Sequence, residues 1–222
     1  MEKTRSLEIK MKLYIVRHAQ SESNVGNHTG KETILSRTGI EQAKRLGLYF
    51  KRKNIDKIYC SKMIRAIDTL KEIKPYVSKV PVTYIKKINE HYKGIYNNKP
   101  EEYKKAKKAS KLPSYLFKPP KGENFLDLEK RAQKFLDFLK KNNKNENILV
   151  VGHGFFMRFL VARIFNLHMK ELSYFELHNA GVSSFEFDKN FNVKKFEIDD
   201  YKHLIKYSSY KRDKKEIKWN KT

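Results

Sequence analysis

The sequence predicts an α/β protein, a three-layer α/β/α sandwich around a mostly parallel sheet with an antiparallel hairpin at its edge. Short apolar runs alternate with amphipathic stretches along most of the chain, a pattern typical of a parallel sheet covered on both faces. Two β-rich segments near the C-terminus are separated only by "DKNFN", which predicts a hairpin. Hydrophobic residues make up 39% of the 222 residues, enough for a sizeable core.

The strands are predicted from apolar or alternating runs of five to eight residues bounded by polar ones. Four buried strands are expected at residues 12–16, 56–60, 81–85 and 147–151, and the two hairpin strands at 182–187 and 193–198.

The helices are predicted from apolar side chains that recur at helical spacing. They are expected at residues 38–52, 63–73, 123–141 and 155–165, with a lysine-rich helix near "PEEYKKAKKA". Ile40 is expected on the buried face of the first helix, and Ile64 is expected on the buried face of the second helix. Thr38 and Glu41 have the spacing of a capping box at the start of the first helix.

The domain organisation is expected to be simple. Residues 11–205 are predicted to form one catalytic domain with a small lid insertion near 91–122. Residues 1–10 and 206–222 are predicted to be basic terminal extensions, and Met11 is an alternative start of the chain. The first ten residues lack the apolar region of a secretory signal, and no apolar run is long enough to span a bilayer.

The net charge of +24 raises the question of nucleic-acid binding. Most of the basic residues are lysines spread along the chain, and no recognition helix, zinc spacing or aromatic RNA-binding signature accompanies them. We therefore expect attraction for small anionic substrates rather than a dedicated nucleic-acid site. Cys60 is the single cysteine, which excludes an internal disulfide and favours a cytoplasmic location.

Arginine, histidine and glutamate side chains follow the ends of the predicted strands. The first strand leads into Arg17 and His18, and the fourth ends in "GHG", with His153 and Gly154. Arg65 follows the second strand, and Glu90 follows the third. Ligands of such sheets lie outside the carboxyl ends of the strands, so these side chains are expected to converge there.

This set of side chains fits phosphoryl transfer. Arg17 and Arg65 can bind phosphate oxygens in a bidentate way, and His153 can add a donor. A neutral His18 can act as the nucleophile, and nearby positive charge keeps it neutral. Glu90 can protonate the leaving oxygen and later activate water. The arginines supply the positive charge, so neither a metal nor a cofactor is expected.

The residues taken singly have plainer explanations. His18 alone is typical of an ordinary strand-end histidine, and Arg65 alone of a surface arginine. Only their occurrence with Arg17 and His153 favours a site. The general acid is the least certain assignment, and the nearby alternatives to Glu90 are Glu101, Glu102 and Glu123.

Several motifs occur in the order found in the histidine phosphatase superfamily, and the chain resembles its phosphoglycerate-mutase-like branch from about Met11 to Leu204. The motifs are "YIVRHAQSESN", "LSRTGIEQAKRLG", "YCSKMIRAIDT", "INEHYKG", "PPKGENFLDLEKRAQKFL", "ILVVGHGFFMRFL" and "DDYKHL".

The resemblance implies His18 as the phosphorylated nucleophile and Glu90 as the proton donor. It implies a phosphate pocket of Arg17, Arg65 and His153, with Asn24, Thr29 and Gly154 as further substrate-binding residues. One departure is Ala19, where the family usually has glycine, and its methyl group is expected to narrow the approach to the phosphate.

Three functions remain open. A phosphomonoester hydrolase is favoured, because the stretch after Glu90 lacks the arginine that the related mutases carry and the lid insertion is short. A cofactor-dependent phosphoglycerate mutase is the first alternative. A non-catalytic phospho-ligand or RNA-binding protein is the second, although such a protein needs neither a nucleophile nor an acid. The expected partner is a small phosphorylated molecule, and an oligomer is compatible with the sequence.

Overall fold

The computed structural model describes residues 10–27, 33–143, 145–167 and 176–204. These residues contain a six-stranded sheet. Its strands are β1 Met11–Arg17, β2 Lys57–Cys60, β3 Val82–Tyr84, β4 Asn147–Gly152, β5 Val182–Phe187 and β6 Val193–Asp200.

The sheet is parallel over four strands and antiparallel at one edge. The spatial order is β3-β2-β4-β1-β5-β6. Strands β3, β2, β4 and β1 run parallel, whereas β5 runs antiparallel to both β1 and β6. The predicted α/β class and the edge hairpin are both confirmed.

Five α-helices accompany the sheet in the described ranges. They are α1 Arg37–Phe50, α2 Ile64–Ile73, α3 Pro100–Ala109, α4 Phe125–Asn142 and α5 Gly154–Ile164. None of the helices in these ranges has the length and apolarity needed to cross a membrane.

Alternating side chains of the strands build two separate cores. Leu13 and Ile15 of β1 pack with apolar residues of α4 and α5. Tyr14 and Val16 point to the opposite face and pack with apolar residues of α1 and α2. The two helix pairs therefore cover the two faces of the sheet, which is the predicted three-layer arrangement.

The predicted capping box of the first helix is wrong. Helix α1 begins at Arg37, and its N-cap is Ser36, whose Oγ accepts from the Gly39 N–H over 3.1 Å. Thr38 lies inside the first turn, and Glu41 forms an exposed 2.8 Å ion pair with Lys44. Serine and threonine are both favourable N-cap residues, and Ser36 occupies the N-cap position because its backbone is extended there.

Two predicted core positions are also wrong. Ile40 and Ile64 are 39% and 38% exposed. The helices instead bury the polar side chains of Gln42 and Thr69. Thr69 Oγ1 accepts from the backbone N–H of Ala19 over 3.0 Å. The inner faces of these helices thus hold the loop that follows β1, a requirement that hydrophobic periodicity does not reveal.

Candidate active site

Strands β1 and β4 are adjacent and parallel, so the residues that follow them meet at one edge of the sheet. Arg17 is in register with Gly152, and the His18 N–H donates to the Gly152 carbonyl over 2.8 Å. The rings of His18 and His153 consequently lie with their centroids 5.1 Å apart. Both histidines are buried. The structure therefore brings the two predicted histidines together.

The hydrogen bonds of His18 show which ring nitrogen carries the proton. Nδ1 lies 2.7 Å from the Ala19 carbonyl oxygen, which can only accept, so Nδ1 carries the hydrogen. Nε2 lies 3.1 Å from Nε of Arg65, which can only donate, so Nε2 presents a lone pair. Burial, and then the charges of Arg65 and Arg17, hold the pKa of His18 well below 6.5. His18 is therefore a neutral imidazole with a basic Nε2.

The second histidine has one satisfied nitrogen and one without a partner. Ser61 Oγ donates to Asn89 Oδ1 over 2.9 Å, so it accepts the Nε2–H of His153 over 2.7 Å. Nδ1 of His153 is buried and has no hydrogen-bond partner within the described ranges. Burial holds the pKa of His153 well below 6.5, and the neighbouring His18, Arg65 and Arg17 act in the same direction. Since Nε2 carries the hydrogen, Nδ1 presents a lone pair in the neutral ring, and His153 can donate to a phosphate oxygen, as predicted, only when Nδ1 is protonated.

Arg17 carries a second unsatisfied group. Its Nη1 donates to the Leu177 carbonyl over 2.6 Å, while its Nε is buried without a partner in the part of the chain that the structure describes. A Cβ at Gly154 would lie 2.9 Å from this Nε. Gly154, predicted as a substrate-binding residue, thus makes room for the guanidinium of Arg17.

The expected effect of Ala19 on the phosphate approach is not supported. Ala19 is fully buried and belongs to the core cluster that includes Val16, Leu35 and Ala43. Its N–H is already bound to Thr69. The methyl group of Ala19 therefore contributes to the core beside α1 and α2.

Glu90 lies at the N-terminus of α5, the helix that begins after His153. The chain reaches it through a short 3-10 helix, Lys86–Ile88, rather than directly from β3. One carboxylate oxygen accepts from the His91 N–H over 2.8 Å and the Phe156 N–H over 3.3 Å. The other accepts from the Phe155 N–H over 3.3 Å. The first turn of α5 therefore fixes this carboxylate, as helix N-termini do for anions.

The alternative acids have other partners. Glu101 and Glu102 are exposed and pair with lysines of their own segment, over 2.8 Å and 3.2 Å. Glu123 is bound by Arg131 through two contacts of 2.6 Å and 3.1 Å. The carboxylate of Glu90, by contrast, is held by the backbone N–H groups of His91, Phe155 and Phe156 and not by a basic side chain of the described residues.

Asn24 is linked to His18 through the side chain of Asn179. Its Oδ1 accepts from the N–H and hydroxyl of Ser21, over 3.0 Å and 2.9 Å, and from Nδ2 of Asn179 over 3.2 Å. The same Nδ2 donates to the His18 carbonyl over 3.0 Å. Thr29, the other predicted pocket residue, lies outside the described residues.

Two side chains of the site were missed by the sequence analysis although a signal existed. Ser61 directly follows β2, so the strand-end rule that selects His18 also selects Ser61. Asn179 precedes β5, and the start of an antiparallel strand lies at the same edge as the ends of its parallel neighbours.

Arg131 was missed for a different reason. From α4 its Nη1 donates to the carbonyls of Lys87 and Asn89, both over 2.8 Å, while Glu123 binds its other edge. These carbonyls are 44 and 42 positions away in the chain. No local sequence pattern indicates that this arginine holds the segment carrying Glu90.

A cavity of about 740 Å³ lies beside these residues. Arg65 and Glu90 form part of its wall, together with residues of the predicted lid insertion 91–122. The insertion contains α3, which packs through Tyr103 against Phe117. Within the described ranges, no group of three or more histidine, cysteine, aspartate or glutamate side chains is arranged to hold a metal ion.

The chain belongs to the histidine phosphatase superfamily (branch 1), whose sequence profile matches residues 13–199. It is 25% identical over 188 residues to an adenosylcobalamin/alpha-ribazole phosphatase of Escherichia coli, covering 82% of this chain and 92% of that protein.

Two further relatives extend the comparison. The chain is 26% identical over 172 residues to a 6-phosphofructo-2-kinase/fructose-2,6-bisphosphatase of Caenorhabditis elegans, covering 74% of this chain but only 36% of the relative. The solved structure of the alpha-ribazole phosphatase from Shigella flexneri superimposes with a TM-score of 0.73 at 22% identity, covering 86% of this chain and 96% of that one. The structural likeness supports the fold.

Proposed function

We propose that this protein hydrolyses phosphomonoesters through a phosphohistidine intermediate on His18. The observation that carries the proposal is the neutral His18, whose Nε2 lone pair meets Arg65 beside two unsatisfied groups, on Arg17 and His153. The protein's relatives include enzymes named as phosphatases.

In the first step, Nε2 of His18 attacks phosphorus and the bond from phosphorus to the leaving oxygen breaks. Arg65 must release Nε2, and its guanidinium then binds the transferring oxygens. The unsatisfied Nε of Arg17 binds a further oxygen. This step requires the protonated form of Glu90, although the three N–H donors favour the carboxylate; the proton passes to the leaving oxygen, so the product is a neutral alcohol.

In the second step, water attacks phospho-His18. The carboxylate of Glu90 takes one proton from this water, and the N–P bond electrons return to Nε2. Inorganic phosphate and the original neutral imidazole are formed, so the cycle closes. The hydrogen bond from Nδ1 to the Ala19 carbonyl is maintained throughout and holds the ring in position.

We assign this chemistry to a single domain at residues 11–205, with residues 91–122 as its lid. The role of the lid is supported by its contribution to the cavity wall next to Glu90. Asn24 is assigned a supporting role, because Asn179 links it to the His18 backbone.

A panel of phosphomonoesters incubated with the wild type and with His18→Ala tests the proposal. We expect release of inorganic phosphate by the wild type and loss of at least about 10³-fold in rate for His18→Ala, since the nucleophile is gone. Excess EDTA should leave the rate unchanged, and restoration of an EDTA-treated enzyme by magnesium or zinc would contradict the proposed mechanism. Isomerisation of phosphoglycerate without phosphate release would instead favour the mutase.

A further inference from the structure

Arg17 and His18 are held by a short segment of the chain that precedes β5, residues 177–180. The Leu177 carbonyl accepts from Nη1 of Arg17 over 2.6 Å. Nδ2 of Asn179 donates to the His18 carbonyl over 3.0 Å. The position of the 177–180 segment therefore sets both the direction of the Arg17 guanidinium and the path of the backbone at His18.

The last residue of this segment, Ala180, makes the closest backbone contacts to the end of β1. Its N–H donates to the carbonyl of Arg17 over 3.1 Å and to that of His18 over 3.3 Å. Its own carbonyl accepts from Nε2 of His203 over 3.1 Å. Ala180 is fully buried, so the 177–180 segment is enclosed at the point where it meets the nucleophile's backbone.

The second residue of the segment, His178, is bound by both carboxylate oxygens of Asp199 on β6. Oδ1 accepts from the backbone N–H of His178 over 2.8 Å, and Oδ2 contacts Nδ1 of the ring. An ionised carboxylate only accepts, so Nδ1 carries a hydrogen. The side chain of Asp199 is only 10% exposed, and the His178 ring lies 4.3 Å from the ring of Tyr201, centre to centre. Asp199 thus fixes the backbone and the ring of His178 together.

The backbone around Asp199 is shaped to aim its carboxylate at this segment. Asp199 has a φ of 54°, in the left-handed region that few side chains adopt. The register between β5 and β6 shifts between Val182 and Ser184, as in a β-bulge, a device that redirects a side chain. A Cβ at Gly181 would lie 2.1 Å from Oδ1 of Asp199, so glycine makes room for the carboxylate.

The guanidinium of Arg17 depends on this arrangement. Within the described ranges its hydrogen bond is the one from Nη1 to the Leu177 carbonyl, while its Nε is buried without a partner. A displaced Leu177 carbonyl would release Nη1 and change the direction in which Nε meets an anion. Small errors in the direction of a binding group are costly in catalysis.

We propose that Asp199 and His178 are positioning residues for the transferring phosphoryl group. They hold the 177–180 segment, and through the Leu177 carbonyl they hold the guanidinium of Arg17 in the direction that binds a phosphate oxygen. The inference rests on the proposed function, because Arg17 is assigned there to the phosphoryl group. In this role neither residue touches the phosphoryl group, so its effect must pass through Arg17.

A double-mutant cycle tests whether the effect passes through Arg17. Asp199→Gly removes the carboxylate, while glycine adopts the φ of 54° without strain. The dissociation constant of inorganic phosphate is measured by calorimetry, together with kcat/KM for p-nitrophenyl phosphate. Asp199→Gly should weaken phosphate binding and lower kcat/KM by about 10-fold, the worth of one charge-assisted hydrogen bond. In the Arg17→Lys background the same substitution should change either quantity by less than about two-fold.

Two further variants complete the cycle. Glu197→Gly is the matched control, because it removes an exposed carboxylate of the same strand that is paired with Lys202 over 3.0 Å, and both quantities should stay within about two-fold. His178→Phe keeps an aromatic ring beside Tyr201 but loses the Nδ1 contact to Asp199. It should act in the same direction as Asp199→Gly and with the same dependence on Arg17.

Three results would overturn the inference: unchanged phosphate affinity and kcat/KM in both variants, equal losses in the wild-type and Arg17→Lys backgrounds, or the same loss in Glu197→Gly. The last two would mean that the pair only stabilises the fold. If phosphate binds with an affinity that depends jointly on Asp199 and Arg17 but no phosphomonoester is hydrolysed, the positioning role stands and the proposed function fails. A wild type that neither binds phosphate nor hydrolyses the ester excludes both.

Discussion

Replacement of Glu90 by glutamine separates the acid role from the structural role of this side chain. The carboxylate accepts three backbone N–H groups, two on one oxygen and one on the other. Glutamine keeps one accepting oxygen and turns an NH₂ group toward the remaining donor. One N–H at the start of α5 then loses its partner, at a cost of roughly 1 kcal/mol for a half-buried site. This loss affects every substrate alike.

The acid role affects only substrates with poor leaving groups. An alkyl phosphate releases a basic alkoxide that needs a proton, whereas p-nitrophenyl phosphate releases a stable phenolate. General acid catalysis is worth roughly 10²–10⁴-fold where it is needed. Glu90→Gln should therefore lower the ratio of alkyl to aryl kcat/KM by about 100-fold or more, which corresponds to about 2.7 kcal/mol.

The assay compares glycerol 3-phosphate with p-nitrophenyl phosphate under steady-state conditions. His18→Ala should slow both substrates alike, because both need the nucleophile. Glu102→Gln is the matched control, since Glu102 is exposed and paired with Lys99, and it should leave both rates within about two-fold. Equal slowing of the two substrates by Glu90→Gln would refute the acid role and return the assignment to Glu101, Glu102 or Glu123.

Three other perturbations follow from the geometry. Gly154→Ala should lower kcat/KM by about 10-fold or more, because its Cβ would lie 2.9 Å from Nε of Arg17 and displace the guanidinium; unchanged activity would contradict the role given to Gly154. Arg131→Lys keeps the positive charge but loses the guanidinium hydrogen bonds to the loop that carries Glu90. The ratio of alkyl to aryl kcat/KM should therefore fall, by less than it falls for Glu90→Gln; an unchanged ratio would mean that Arg131 does not position Glu90. Urea unfolding should show stability falling below pH 6.5, because His18 and His153 protonate in the unfolded state while their folded pKa values stay well below 6.5; each histidine contributes a limiting slope of about 1.4 kcal/mol per pH unit, and a His18→Gln variant with an undiminished slope would contradict the contribution of His18.

The sheet and much of the site could be predicted from the sequence because they depend on local patterns. Strands β1, β2 and β4 are short apolar runs, whereas β3 is partly exposed, and the side chains after the strand ends lie at the carboxyl edge of the sheet, where ligands of such sheets bind. That rule places His18 and His153 together without knowledge of any contact. Cys60 is fully buried at the end of β2, where burial raises its pKa to about 12.

The features that the sequence did not predict depend on competition between equivalent residues or on contacts between residues far apart in the chain. Ser36 and Thr38 are both good caps, and only the backbone of the preceding loop decides between them. The inward faces of α1 and α2 carry polar side chains because they bind the loop after β1. Arg131 reaches the Glu90 loop across more than forty positions, and such a contact exists only once α4 is packed beside it.

The most direct test of the account is the identity of the phosphorylated residue during turnover. The protein is mixed with p-nitrophenyl phosphate, quenched in alkaline denaturant that preserves phosphohistidine, and digested for mass spectrometry. Phosphate should be found on His18, and it should accumulate further in Glu90→Gln, because that variant lacks the base for the second step. The label should be absent from His18→Ala. Phosphate on another residue, or normal turnover by His18→Ala, would contradict the central claim.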